Sequence, residues 1–123
     1  MEERLMTTKE RPELLHGQTK KAKTGCGNLY VTLNLNEDKP TEVFIRLGKA
    51  GGCASSQSEA LGRLISVALR HGAELSDIIH QLRGIGCHTP VFTGMGSKNL
   101  SCADAVANTL SSMYEPIIKE VEK

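Results

Sequence analysis

Val43-Phe44-Ile45-Arg46-Leu47-Gly48-Lys49-Ala50-Gly51-Gly52-Cys53-Ala54-Ser55-Ser56-Gln57-Ser58-Glu59-Ala60 passes from a strand to a helix through a glycine-rich turn. Val43, Ile45 and Leu47 alternate with Phe44 and Arg46, the period of a half-buried strand. Glycines 48, 51 and 52 sit where the backbone must turn sharply or approach something closely. Ser56 and Glu59 have the spacing of a capping box, so the helix is expected to begin at Ser56. Free N–H groups at such a start favour an anion or a thiolate. Cys53 just before it is therefore a candidate ligand or reactive group, against the plainer reading of a buried cysteine beside a tight connection. Lys49, Gly51, Gly52, Ser55 and Ser56 are the candidate anion- or nucleotide-binding residues. The turn lacks the Lys-Ser/Thr of a phosphate loop and the spacing of a dinucleotide fold.

Working back toward the N-terminus, Leu29, Val31, Leu33 and Leu35 alternate with Tyr30, Thr32 and Asn34 as a second strand. Asn36-Glu37-Asp38-Lys39-Pro40 is the turn of an antiparallel hairpin. If Leu35 pairs with Thr41, Cys26 falls opposite Ala50, bringing Cys26 and Cys53 to one end of the sheet. Residues 1–24 read as a polar arm. From Arg11 to Lys23 it carries four cations, Arg11, Lys20, Lys21 and Lys23, against Glu13 alone. Such an arm is solvated or docks on an acidic partner. Residues 25–123 read as a single domain.

Working forward, Ala60, Leu61, Leu64, Ile65, Ala68 and Leu69 form the apolar stripe of a helix from Ser56 to His71, with Gly72 as its C′ residue. Ser76 is expected to cap a shorter helix through Ile78, Ile79 and Leu82. Ser101 is expected to cap a last one, with Ala105, Val106, Leu110, Met113, Tyr114 and Ile117 on its buried side and Pro116 kinking or ending it. The fold class is α+β: a hairpin, with Pro90-Val91-Phe92 as a candidate third strand, packed against three helices. An uncovered hairpin edge would favour a homodimer.

The chain of 123 residues has 39% hydrophobic and 3% aromatic residues and a net charge of +1. That suits one small domain with an aliphatic core. Near-neutral charge and scarce aromatics argue against nucleic acid as a partner. No apolar run reaches the ~18 residues of a membrane span, and the N-terminus is not a signal peptide, so a cytoplasmic protein is expected. In a reducing compartment cysteine serves metal or catalysis more often than disulfides.

All four cysteines lie at element boundaries beside glycine or a cap. Cys26 precedes a strand, Cys53 a helix, Cys87 follows a helix and Cys102 opens one. Buried structural cysteines would instead fall within the apolar stripes. Four thiolates suit tetrahedral zinc, with an iron–sulfur cluster as second choice and His88 as an alternative ligand. The spacings of 27, 34 and 15 match no compact zinc ribbon. Redox-active thiols, or cysteines with no common role, are the other readings.

Arg11-Pro12, Gly17-Gln18-Thr19, the run Thr24 to Thr32, Gly48-Lys49-Ala50-Gly51-Gly52-Cys53-Ala54, the run Gln57 to Ser66 and Leu100-Ser101-Cys102-Ala103-Asp104 together resemble the TSCPD domain. The version resembled is the C-terminal one of adenosylcobalamin-dependent (class II) ribonucleotide reductases, and the resemblance runs from about Arg11 to Leu110. The family is named for a Thr-Ser-Cys-Pro-Asp motif. Here Leu100 and Ala103 stand for its Thr and Pro, while Cys102 and Asp104 remain. The resemblance implies a metal-binding domain in deoxyribonucleotide metabolism. The reductase reaction itself needs a large barrel and a cobalamin site, for which 123 residues leave no room, so no catalytic residue is assigned. The expected partner is a reductase catalytic subunit. The alternatives are a thiol-redox partner that delivers electrons to a reductase, with Cys26 and Cys53 as the pair, and a nucleotide- or phosphate-binding module.

Overall fold

The computed structural model describes residues 10–48, 52–94 and 96–122, and of residues 116–122 only the backbone. Three strands form one antiparallel sheet in the order β1 (His16–Thr24), β2 (Gly27–Asn36), β3 (Lys39–Leu47). Helix α1 (Gly52–Arg70) follows, then α2 (Leu75–Leu82), a short hairpin β4 (Val91–Gly94) and β5 (Ser97–Asn99), and α3 (Cys102–Glu122). The α+β class is as expected. The third strand of the main sheet is β1, and Val91-Phe92 belongs instead to the separate β4–β5 hairpin.

The segment expected to be a polar arm is thus, from His16 onward, a nine-residue strand paired with β2 along its whole length. Its neighbour supplies the order that its own sequence lacks. Ala22, Lys20 and Gln18 stand opposite Leu29, Val31 and Leu33, so they share the inner face. Arg11, before the strand, forms a two-pronged ion pair with Glu42, its Nε donating to Oε1 at 2.9 Å and an Nη to Oε2 at 3.0 Å. Asn34 donates to the same carboxylate at 2.7 Å. Glu42 is only 2% exposed, and its hydrogen bond from Arg11, ahead of the opposing effect of burial, holds its carboxyl below the ordinary range.

The β2–β3 turn lies where expected. Glu37 and Asp38 take φ of 51° and 69°, the paired left-handed conformation of a tight hairpin. Leu35 pairs with Pro40 rather than Thr41, because a bulge after Asn34 shifts the register. Beyond the bulge the expected register resumes, with Asn34 opposite Glu42 and Leu29 opposite Leu47. The inferred pairing of Cys26 with Ala50 lies outside the described residues.

The core is aliphatic. Leu29, Val31, Leu33, Val43, Ile45 and Leu47 from the sheet meet Ala105, Val106, Leu110 and Met113 of α3, with Ile65, Leu69, Leu75 and Ile79 closing the sides. Helix α1 starts four residues earlier than the capping-box pattern indicates, at Gly52. Ser56 is inside it, donating to the carbonyl of Cys53 at 3.1 Å, as helical hydroxyls do. Its buried face is also rotated from the expected stripe: Ser58, Gly62, Ile65, Ser66 and Leu69 are buried, while Ala60 and Leu64 are exposed. The reason is that α1 lies along the open edge of β3. The Ser66 hydroxyl donates to the carbonyl of Val43 and accepts its N–H, both at 2.9 Å. Gly62 lets the helix approach, since a Cβ there would stand 3.2 Å from the nitrogen of Ile45. The edge expected to invite a second copy is therefore occupied around Val43–Ile45.

At the end of α1, the N–H of Ala73 reaches the carbonyl of Ala68 at 3.0 Å and Gly72 takes φ of 97°, the expected C-terminal turn. Helix α2 begins one residue before Ser76, behind Glu74 at the cap position. Helix α3 is capped by Ser101 as expected and continues through Pro116 to Glu122 rather than ending there. Among the described residues, no helix is long and apolar enough to cross a membrane.

Candidate functional site

Three connections meet at one end of the sheet: the β1–β2 turn, the loop from α2 to β4, and the start of α3. Each carries a cysteine. Cys26 is in the turn and Cys87 in the loop, both exposed, and Cys102 is the first residue of α3 and half-buried.

Two threonines knit these connections together. The hydroxyl of Thr24 donates to the carbonyl of Gly27 at 2.7 Å and accepts the N–H of Cys26 at 3.1 Å. The thiol of Cys102 donates to the same oxygen at 3.8 Å. Thr89 holds Cys87 in the same way, its N–H donating to the sulfur at 3.4 Å with its hydroxyl 3.5 Å away. Thr89 in turn lies against the β1–β2 turn, so closely that a Cβ on Gly25 would stand 2.1 Å from its carbonyl oxygen. Glycine at 25 is what lets the loop carrying Cys87 reach the turn carrying Cys26.

The electrostatics express the same proximity. Burial, the largest cause, pushes the Cys102 thiol up, and Cys26 and Cys87 push it further by disfavouring another negative charge beside them. The Cys87 thiol is lowered by the hydroxyl and then the N–H of Thr89. Among the described residues, no group of three or more His, Cys, Asp or Glu is arranged to hold a metal ion. Cys102 thus feels both of the other thiols, and among the described residues the three do not form a closed ligand set.

Asp104 supports this end from behind. At 3% exposure it accepts the N–H of Gly84 on Oδ1 at 2.8 Å and that of Leu100 on Oδ2 at 2.8 Å. It stands three residues into α3, where the helix N-terminus also favours a carboxylate. Ser101 caps the helix by accepting the N–H of Asp104 at 3.1 Å and donates to the carbonyl of Ile85. The N–H of Cys87 completes the tie on the carbonyl of Leu100 at 3.0 Å. Asn108, one helical turn beyond Asp104, passes the network to Asn99 at 3.0 Å, and Asn99 donates to the carbonyl of Lys23 at 2.8 Å.

Cys53 is exposed in the first turn of α1 rather than before it. Of the residues expected to cradle an anion, Lys49 and Gly51 lie outside the described residues, Gly52 opens α1, and Ser55 and Ser56 are inside the helix. Sequence reasoning missed Thr24 and Thr89, whose partners lie on other connections, and Asn108, whose i, i+4 spacing from Asp104 was a usable signal.

No curated protein and no solved structure matches the chain. The family profile of the TSCPD domain matches residues 5–114, nearly the whole chain and both ends of the cysteine-bearing site. The chain belongs to the TSCPD domain family, known from ribonucleotide reductases.

Proposed function

We propose that this chain is a metal-binding accessory module of deoxyribonucleotide metabolism that acts in the cytoplasm beside a class II ribonucleotide reductase catalytic subunit and is not catalytic alone. The observation that carries this reading is the meeting of Cys26, Cys87 and Cys102 from three separate connections, two of them sharing the Thr24 hydroxyl. Soft thiol donors, in a domain with few aromatics to build a core, fit zinc. The fourth position falls to Cys53, with His88 next to Cys87 as the alternative. Zinc in such a set is redox-inert and would cross-link the connections into one unit. Membership of a family known from ribonucleotide reductases supports the metabolic setting.

The test is metal content per chain, with a count of reactive thiols, on protein purified without chelator. About one zinc per chain, with thiols protected until the metal is withdrawn, is expected. Serine at Cys26, Cys87 or Cys102 should lose metal and stability together. Absence of metal with four freely reactive thiols would overturn the reading, and iron with sulfide would replace it by electron transfer.

A further inference from the structure

The sheet has a second face, and nothing in the described chain covers its middle. On β1, Thr19, Lys21 and Lys23 point away from the core, as do Asn28, Tyr30 and Thr32 on β2 and Phe44 and Arg46 on β3. The register sets them in rows about 7 Å apart. Lys21, Tyr30 and Arg46 form one row, and Thr19, Thr32 and Phe44 the next. Tyr30 therefore lies between two cations, with Phe44 on its diagonal.

The surface continues over the β1 edge. There a groove of about 620 Å³ runs between Lys20–Lys23, the β4–β5 hairpin and α3. Phe92 stands on its rim, 75% exposed, with the Lys98 ammonium 5.9 Å from its ring centre. Asn99 of β5, bonded to the carbonyl of Lys23, fixes the hairpin against that edge. Both phenylalanines of the chain are thus on the surface, Phe44 being 54% exposed. A protein so poor in aromatics would be expected to bury them.

The charge on this surface is of one sign. Lys21, Lys23, Arg46 and Lys98 are exposed on it. Glu42, the one carboxylate on this sheet face among the described residues, is buried and paired with Arg11.

We propose that the outer face of the sheet and the β4–β5 hairpin form one track that binds single-stranded nucleic acid. Open aromatic faces offer stacking to unpaired bases, the cations meet the phosphates, and Asn28 can reach base edges, while the Thr19 and Thr32 hydroxyls are bonded to each other at 2.7 Å. An acidic peptide would use the cations but not the rings, and strand addition at β1 is hindered where Asn99 already holds the Lys23 carbonyl. The overall charge of +1 does not reveal the track, because among the described residues the carboxylates other than Glu42 lie off this sheet face.

The test is fluorescence anisotropy of labelled dT and rU 12-mers titrated with the full chain at 50 and 200 mM salt. A 12-bp duplex, heparin and a polyglutamate peptide serve as competitors. Saturable binding that the single strands compete best is expected. Phe44→Ala and Phe92→Ala should each weaken it about tenfold, the size of one lost base–aromatic stack, without changing the thermal melt. Lys21→Gln and Arg46→Gln should each lower the salt slope by about one. Absence of binding at 50 mM salt would overturn the proposal. So would equal competition by heparin with no effect of either phenylalanine variant, stronger competition by polyglutamate, or a concentration-dependent dimer broken by Phe44→Ala.

Discussion

Replacing Asp104 by Asn tests whether the aspartate of the family motif is structural support for the cysteine-bearing end. The side chain keeps its size and loses one acceptor oxygen. In the folded chain Oδ1 takes the N–H of Gly84 and Oδ2 takes those of Leu100, at 2.8 Å, and of the Asn108 amide, at 3.3 Å. Whichever way the new amide turns, its NH2 faces either Gly84 or Leu100. One main-chain donor then loses its partner, at a cost of about 1–3 kcal/mol in this part-buried setting. The bonds that survive change from charge-assisted to neutral, and the helix N-terminus loses its anion, which together remove roughly another 1 kcal/mol. The expected loss is about 2–4 kcal/mol, a large part of the ~5–15 kcal/mol that holds a small domain folded.

Urea unfolding of the metal-free protein in chelator reads this directly. The midpoint should fall with little change in slope. Metal-free conditions matter, because a metal bound only by the native state would add stability of its own. A loss below about 0.5 kcal/mol, the size expected of an unremarkable surface change, would refute the support role and leave Asp104 to be explained through contact with a ligand.

Three further outcomes follow from the packing. Ser66→Ala leaves both the N–H and the carbonyl of Val43 without their partner on the β3 edge, and should cost roughly 2 kcal/mol by denaturant unfolding, in spite of alanine's better helix propensity. Gly25→Ala places a methyl 2.1 Å from the Thr89 carbonyl oxygen; it should displace the Cys87 loop and reduce zinc bound per chain, while far-UV circular dichroism keeps its helical signal. The carboxyl of Glu42 lies below its ordinary value of 4.5, because Arg11 binds its charged form. Its contribution to stability is therefore whole above about pH 4.5 and is lost as pH falls through the lower folded value; in Arg11→Gln, thermal melts should show a smaller loss over that acid range.

The parts of the fold legible in the sequence are those fixed by neighbours along the chain. The alternation from Leu29 to Leu35, the Asn36–Lys39 turn, the Gly72 terminus and the Ser101 cap all rest on contacts within a few residues. Helix α1 shows where that reasoning stops. Its most regular apolar stripe includes Leu64, which is 67% exposed, because Gly62 and Ser66 are what a strand edge requires. A glycine and a hydroxyl score as weak core residues by hydropathy. Their value appears only when a helix has to approach a backbone and satisfy it.

The register of β1 is the harder case, and it bears on both proposals. A strand is held in register by a pattern that distinguishes its faces, and β1 has almost none: Gln18, Lys20 and Ala22 point inward, Thr19, Lys21 and Lys23 outward. That is why the segment reads as a polar arm. Side-chain bonds at Thr19, Lys20 and the Lys23 carbonyl help to hold it, and so does the turn at its end. Gly27 takes φ of 136°, which side-chain-bearing residues rarely adopt, Gly25 fits under Thr89, and the Thr24 hydroxyl closes the turn on Gly27. A slip of one residue against β2 would turn Thr24 away from Cys26 and Cys102 and carry Lys21 and Lys23 to the inner face. The thiol cluster and the cationic track would then fail together, though they lie on different surfaces. The two glycines and the threonine around Cys26 therefore matter to residues they never touch.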